Sequence, residues 1–163
     1  MLPLRTILHP TDFSEYSAHA FRLACALARD YDARLIVLHV QPTPVVAPFE
    51  GPLPLPQAET EAQVRERLVH TAPQDPKVRM EHVLAQGDAV KEILYAAEQN
   101  QCDLIFMGTH GRTGLGRVVL GSVAEQVMRK ATCPVLTMKL PMPQEGQAPK
   151  PTSKKSAQPA GTR

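Results

Sequence analysis

The chain has 163 residues, 43% of them apolar and 21% charged, an ordinary balance for one globular domain and not for a disordered chain. Its basicity, net +2, is a matter of location. Residues 141–163 carry Lys150, Lys154, Lys155 and Arg163 against Glu145, a net +3, so residues 1–140 sum to −1. A folded body of that charge lacks the basic surface a specific nucleic-acid binder needs. No stretch approaches the ~18 apolar residues of a membrane span. Arg5 interrupts the place where a secretory leader needs its apolar run, and a cytoplasmic location is the expectation. Cys25, Cys102 and Cys133 form no CxxC pair or zinc pattern and read as small hydrophobes in a reducing compartment.

In chain order, Thr6 to His9 is a short apolar strand, followed by a helix over 14–30 with Ala18, Phe21, Cys25 and Ala28 inward. Asp12 fits the N-cap of that helix, with Glu15 completing a capping box. Leu35 to Leu38 is a continuous aliphatic run, as in a strand covered on both faces. Gln41 to Pro56 holds six prolines and is a loop, since proline lacks a backbone donor and fixes φ. Its length and its place after the second strand are compatible with a lid. Residues 57–71 predict a helix with Val64 and Leu68 inward, and Val78 to Leu84 alternates as an edge strand does. Val90, Ile93, Leu94 and Ala97 mark a third helix, and Leu104 to Met107 a second fully apolar strand. Val123, Ala124, Val127 and Met128 mark a fourth helix, and Val135 to Leu140 a last alternating strand. Residues 141–163, rich in proline, lysine and polar residues, have the composition of a disordered tail whose lysines serve solubility.

Strands alternating with helices argue an α/β fold, a single doubly wound, five-stranded parallel sheet with helices on both faces. The apolar strands one, two and four belong in the middle and the alternating strands three and five at the edges, which gives the order 3-2-1-4-5. Ligands in such sheets bind beyond the carboxyl ends of the strands where the winding reverses, here between strands one and four. The residues to examine are therefore His9 to Asp12 and Met107 to Gly108.

Five of the nine glycines, 108, 111, 114, 116 and 121, fall in the 14 residues after strand four. A strand, a glycine-rich turn and a helix N-terminus make an anion site, because backbone N–H groups approach phosphate closely and the helix dipole favours negative charge. Ser122 fits the N-cap of the following helix, with Glu125 closing a capping box. No GxxxxGK[ST] is present and no GxGxxG follows strand one, so neither a P-loop nor a dinucleotide fingerprint accounts for the glycines. The alternative is a turn without a ligand. His9, His39 and His110 sit near strand ends at spacings that match no metal signature.

Gly108-x2-Gly111-x9-Gly121-Ser122 resembles the G-x2-G-x9-G-[ST] signature of the ATP-binding branch of the universal stress protein family. Ile7 to Ser14 is similar to that family's first strand and turn, and Ala131 to Leu136 to its final strand. The resemblance covers residues 3–140 and is specific because these segments occur in matching order. It implies a Rossmann-like nucleotide-binding domain over 1–140 and an ATP site. Gly108, Gly111, Gly121 and Ser122 would hold phosphates and ribose, Asp12 would bond the nucleoside end, and Pro10, Thr11, Val40, Met107 and Val123 would line the adenosine pocket. Independently of the resemblance, Arg112 and Arg117 in the glycine loop are candidates to screen the triphosphate, the alternative being solvated loop arginines. Mg²⁺ would bind through the phosphates without a protein ligand cluster. The resemblance also implies a homodimer through Val135 to Leu140. The function expected is a nucleotide-dependent stress regulator with slow or no ATP hydrolysis, since no catalytic base is evident. A weak ATPase or phosphotransfer enzyme and a nucleotide-independent interaction module are the alternatives. The loop Pro10 to Ser14 lacks the SGGxDS-like form of the adenine-nucleotide hydrolases, which counts against the first of these.

Overall fold

The computed structural model describes residues 4–43, 59–73, 75–109 and 121–139. The elements are β1 (Thr6–Pro10), α1 (Glu15–Asp30), β2 (Arg34–Gln41), α2 (Glu61–His70), β3 (Arg79–Gln86), α3 (Ala89–Gln99), β4 (Leu104–Gly108), α4 (Ser122–Lys130) and β5 (Val135–Met138). The strands form one five-stranded sheet in the order β3-β2-β1-β4-β5, and every pairing is parallel. The apolar strands occupy the centre and the alternating ones the edges, as the burial argument requires. The bulk of the 41–56 loop, from residue 44 onward, and the 141–163 segment lie outside the described residues.

Alternation along each strand divides the core in two. Ile7, Leu35, Val37 and Phe106 face a layer closed by Ala20, Phe21 and Ala24 of α1 and Leu68 of α2. Leu8, Ile36, Leu38, Ile105 and Met107 face the opposite layer, closed by Val90 and Ile93 of α3 and Ala124 and Val127 of α4. The buried stripe of α1 is Ser17, Ala20, Phe21, Ala24 and Ala28, so the helix sits turned about one residue from the predicted face. Ala18 is exposed and Cys25 half-buried, because the buried Ser17 hydroxyl, a polar group no hydropathy pattern marks, belongs to the inward face. Met128 is likewise exposed, at 45%, and not inward.

Three local signals are placed differently from expectation. The N-cap of α1 is Ser14, whose hydroxyl accepts from the Ser17 N–H at 3.2 Å, and not Asp12. Helix α2 begins at Glu61, where Thr60 and Gln63 form a reciprocal capping box. Helix α4 is capped by Gly121, which places Ser122 inside the first turn with no side-chain cap bond. Glu125 is then one position too late for a capping box and pairs with Arg129 at 2.9 Å.

The register explains where the sheet opens. β1 pairs with β2 over five residues, and β4 with β5 over four. Between β1 and β4 only Ile7↔Leu104 and Leu8↔Ile105 are partnered. Beyond that point Thr11 N–H donates to the Leu38 carbonyl at 2.8 Å, and Thr109 N–H to the Met138 carbonyl at 2.9 Å. Each central strand thus follows its outer neighbour, and a crevice opens between their carboxyl ends.

Candidate functional site

A cavity of about 350 Å³ occupies that crevice. Its walls come from the ends of β1 and β2, from β4, and from the first turns of α3 and α4. Nine residues singled out in the sequence line it: Pro10, Thr11, Asp12, Val40, Met107, Gly108, Gly121, Ser122 and Val123. They converge from segments far apart in the chain because the switch point brings β1 beside β4. Gly111 and Arg112, and with them His110 and Arg117, lie outside the described residues.

The sequence reading missed Ser17, Leu38, His39, Ala89, Ile93, Thr109 and Ala124 as lining residues. Leu38, His39 and Thr109 follow from the strand-end rule once the strands are extended by a residue or two. Ala89 and Ile93 belong to α3, whose proximity to β4 is a tertiary fact with no local signal.

The β1–α1 turn is built by its own side chains. Asp12 Oδ1 accepts from the Ser14 N–H at 3.1 Å and from the Ser14 hydroxyl at 2.6 Å, so the carboxylate closes an Asx turn two residues before the helix. Thr11 Oγ1 accepts from the Phe13 N–H at 3.2 Å and from the Ser17 hydroxyl at 2.8 Å. The first turn of α4 presents N–H groups with no side-chain cap, and Gly121 N–H anchors the turn to the Thr109 carbonyl at 2.7 Å. Gly108 lies so close to α1 that a Cβ there would meet the Tyr16 carbonyl carbon at 3.0 Å.

His9 is fully buried, and its Nδ1–H donates to the Phe106 carbonyl at 2.8 Å, where the β1–β4 ladder has ended. Only a protonated Nδ1 can bond a carbonyl, so Nε2 is the acceptor and faces the Ser17 hydroxyl at 3.5 Å. Burial drives its pKa from 6.5 down to about 4, outweighing the Phe106 bond and the Asp12 charge, which both pull it up. His39 Nδ1–H donates to the Thr11 carbonyl at 2.7 Å. Both histidines therefore serve the backbone, and among the described residues no group of three metal-ligating side chains exists. The three thiols are unpaired. Burial pushes Cys25 up to about 11 and Cys102 up to about 12, and raises Cys133, so all three stay protonated and poorly nucleophilic. Among the described residues no helix is long and apolar enough to cross a membrane.

Chemically, the cavity joins apolar walls (Val40, Ile93, Met107, Val123) to one carboxylate, several hydroxyls and a helix N-terminus. Its volume falls in the range of about 300–1,000 Å³ that small-molecule sites occupy.

The chain matches the Universal stress protein family model over residues 3–139. A universal stress protein of Methanocaldococcus jannaschii is 37% identical over 141 residues, covering 84% of this chain and 83% of that one. Among solved structures, the universal stress protein UspA from Lactobacillus plantarum superposes with a TM-score of 0.66 at 23% identity, over 85% of this chain and 99% of its own. A universal stress protein in complex with cAMP superposes with a TM-score of 0.62 at 22% identity, over 84% and 98%. Sheet order, switch-point cavity and family match agree: this chain belongs to the universal stress protein family.

Proposed function

We propose that the protein binds ATP in the crevice between β1 and β4 and acts as a nucleotide-dependent stress regulator. The observation that carries the reading is the cavity itself. It joins an apolar compartment, sized for a nucleoside, to an α4 N-terminus that no side chain caps. Adenine packs against Val40, Ile93, Met107 and Val123, with Thr11 beside it. Asp12 bonds the nucleoside hydroxyls. The phosphates run over Gly121 and Ser122, where the helix N–H groups and the Ser122 hydroxyl meet them; Gly111 and Arg112 are assigned to the phosphates from the sequence signature alone. Mg²⁺ binds through the phosphates. One solved universal stress protein is in complex with cAMP, which supports a nucleotide as the class of ligand.

Turnover is slow or absent. Hydrolysis needs a base beside the terminal phosphate. The only carboxylate among the described lining residues is Asp12, at the nucleoside end, and His9 Nε2 is sealed against Ser17. The protein pairs as a homodimer through β5, whose outer edge no strand among the described residues covers.

Calorimetry of ATP, ADP and AMP against the wild type, Ser122→Ala and Gly121→Val tests the site. Each substitution should weaken ATP about tenfold or more, as for a lost bond to a charged group. AMP should suffer less than ATP if the phosphates lie there. ATP affinity unchanged in both variants overturns the assignment.

A further inference from the structure

Phe13 carries a φ of +62°, the left-handed region, which a bulky side chain enters only at a cost. Such strain persists where neighbours hold it, and two groups hold this ring. The His39 ring lies 4.4 Å away, centroid to centroid, tilted by 32°. The Arg67 guanidinium carbon stands 4.2 Å over the Phe13 centroid. Neither Phe13 nor Arg67 lines the crevice, but Phe13 touches Thr11 and His39, which do, and Arg67 touches Phe13. Phe13 N–H donates to Thr11 Oγ1, and His39 Nδ1–H donates to the Thr11 carbonyl, so the ring and its stacking partner grip Thr11 at both ends.

We propose that Arg67 is a positioning residue for the nucleotide site, acting through the Phe13 ring to hold the Thr11–Ser14 turn in its binding conformation. The inference rests on the nucleotide reading above. Arg67 belongs to α2, which buries only Val64 and Leu68. Apart from those, His82 Nε2–H bonds the Thr71 carbonyl at the helix end at 2.9 Å. A helix held this lightly is a movable one. Arg67 is also steered by Glu59, its ion-pair partner just before the helix. The cation over the ring therefore ties a lightly docked helix to a strained turn at the ligand's side.

Two consequences follow from linkage. Loss of the cation lets the turn relax, and apparent affinity falls with the fraction of molecules that keep the binding geometry. By reciprocity, bound nucleotide must hold α2 more firmly in place. A helix distant from the ligand thereby both reports on occupancy and adjusts it.

The test measures ATP binding by calorimetry in wild type, Arg67→Ala, Arg67→Lys and Glu59→Gln, with amide hydrogen exchange of α2 followed with and without ATP. Arg67 is half-buried and belongs to neither apolar core layer, so the variants keep the core. Arg67→Ala should weaken ATP about two- to five-fold, the scale of a partly exposed cation–π contact. Arg67→Lys, which keeps a cation over the ring, should regain most of that, and Glu59→Gln should cost less than Arg67→Ala. ATP should slow α2 exchange in the wild type and lose that effect in Arg67→Ala. If the wild type binds ATP and Arg67→Ala binds it equally, with unchanged α2 protection, the inference fails and the nucleotide reading stands. If Glu59→Gln matches the alanine loss and lysine regains nothing, the ion pair and not the ring contact is responsible, and the inference fails. No ATP binding by the wild type overturns both.

Discussion

At the scale of single residues, His9 shows how a site is supported from behind. A histidine in an aliphatic strand looks misplaced in the sequence. In the fold it replaces a backbone partner, because the β1–β4 ladder ends before Phe106 and its buried carbonyl still needs a donor. The neutral ring meets that need and turns its acceptor nitrogen toward Ser17. Its ionisation gives a signed prediction. The folded protein resists protonating His9 until about pH 4, whereas the unfolded chain takes up the proton near 6.5. Between these values the unfolded state binds more protons, so stability falls as pH falls through the window, by about 3 kcal/mol in all. Urea denaturation at pH 7, 6, 5 and 4.5 should show a steeper loss in the wild type than in His9→Gln. Equal slopes would show that His9 titrates normally in the fold. Asp12 and Ser122 teach the complementary lesson. Each carries the residue type of a helix cap, and each is displaced from that role by a neighbour, Ser14 and Gly121. The Ser122 hydroxyl is thereby not spent on capping.

At the scale of elements, the contact between α1 and β4 sets how narrow the crevice is. Alanines 20, 24 and 28 let α1 lie low on the sheet, and Gly108 completes the close approach at the end of β4. A Cβ at Gly108 would stand 3.0 to 3.1 Å from backbone and Cβ atoms of Tyr16, atoms that move only if the helix moves. Gly108→Ala should therefore destabilise the fold by about 1–3 kcal/mol, as overpacking does, and the denaturation midpoint measures it. An unchanged midpoint would show that α1 yields freely. This glycine stood in the sequence as part of an anion loop; its packing duty needed α1, 90 residues earlier, to become visible. Helix existence and strand character were legible throughout, since apolar periodicity is a local property. Helix faces were legible to within one residue, because small residues such as Ala18 and Ala20 look alike until a neighbour chooses between them.

At the scale of the whole molecule, the outer ladder of β5 pairs with no strand among the described residues. Leu136 on that strand is 44% exposed. An apolar edge invites pairing, and natural edges are usually blunted by charge. With the proposed homodimer, sedimentation should give twice the 17.9 kDa chain mass. Leu136→Lys should shift it to the monomer while ATP affinity stays within about two-fold, given that the cavity is lined from other elements. A wild-type monomer at micromolar concentration would exclude pairing through this edge. The basic balance of the chain keeps its narrow meaning at this scale. The positive excess belongs to residues 141–163, and the part that matches the family is close to neutral.

Sequence alone determined the strand order, because a strand buried on both faces must be apolar on both, and a parallel sheet offers that environment only in its middle. It also determined where the sheet's winding reverses, and so which strand ends face the crevice. Only the tertiary structure decided which side chains close the cavity from α3, which hydroxyl caps which helix, and that Arg67 stands over a strained Phe13. Those facts depend on distances between segments far apart in the chain, and no local pattern encodes a distance.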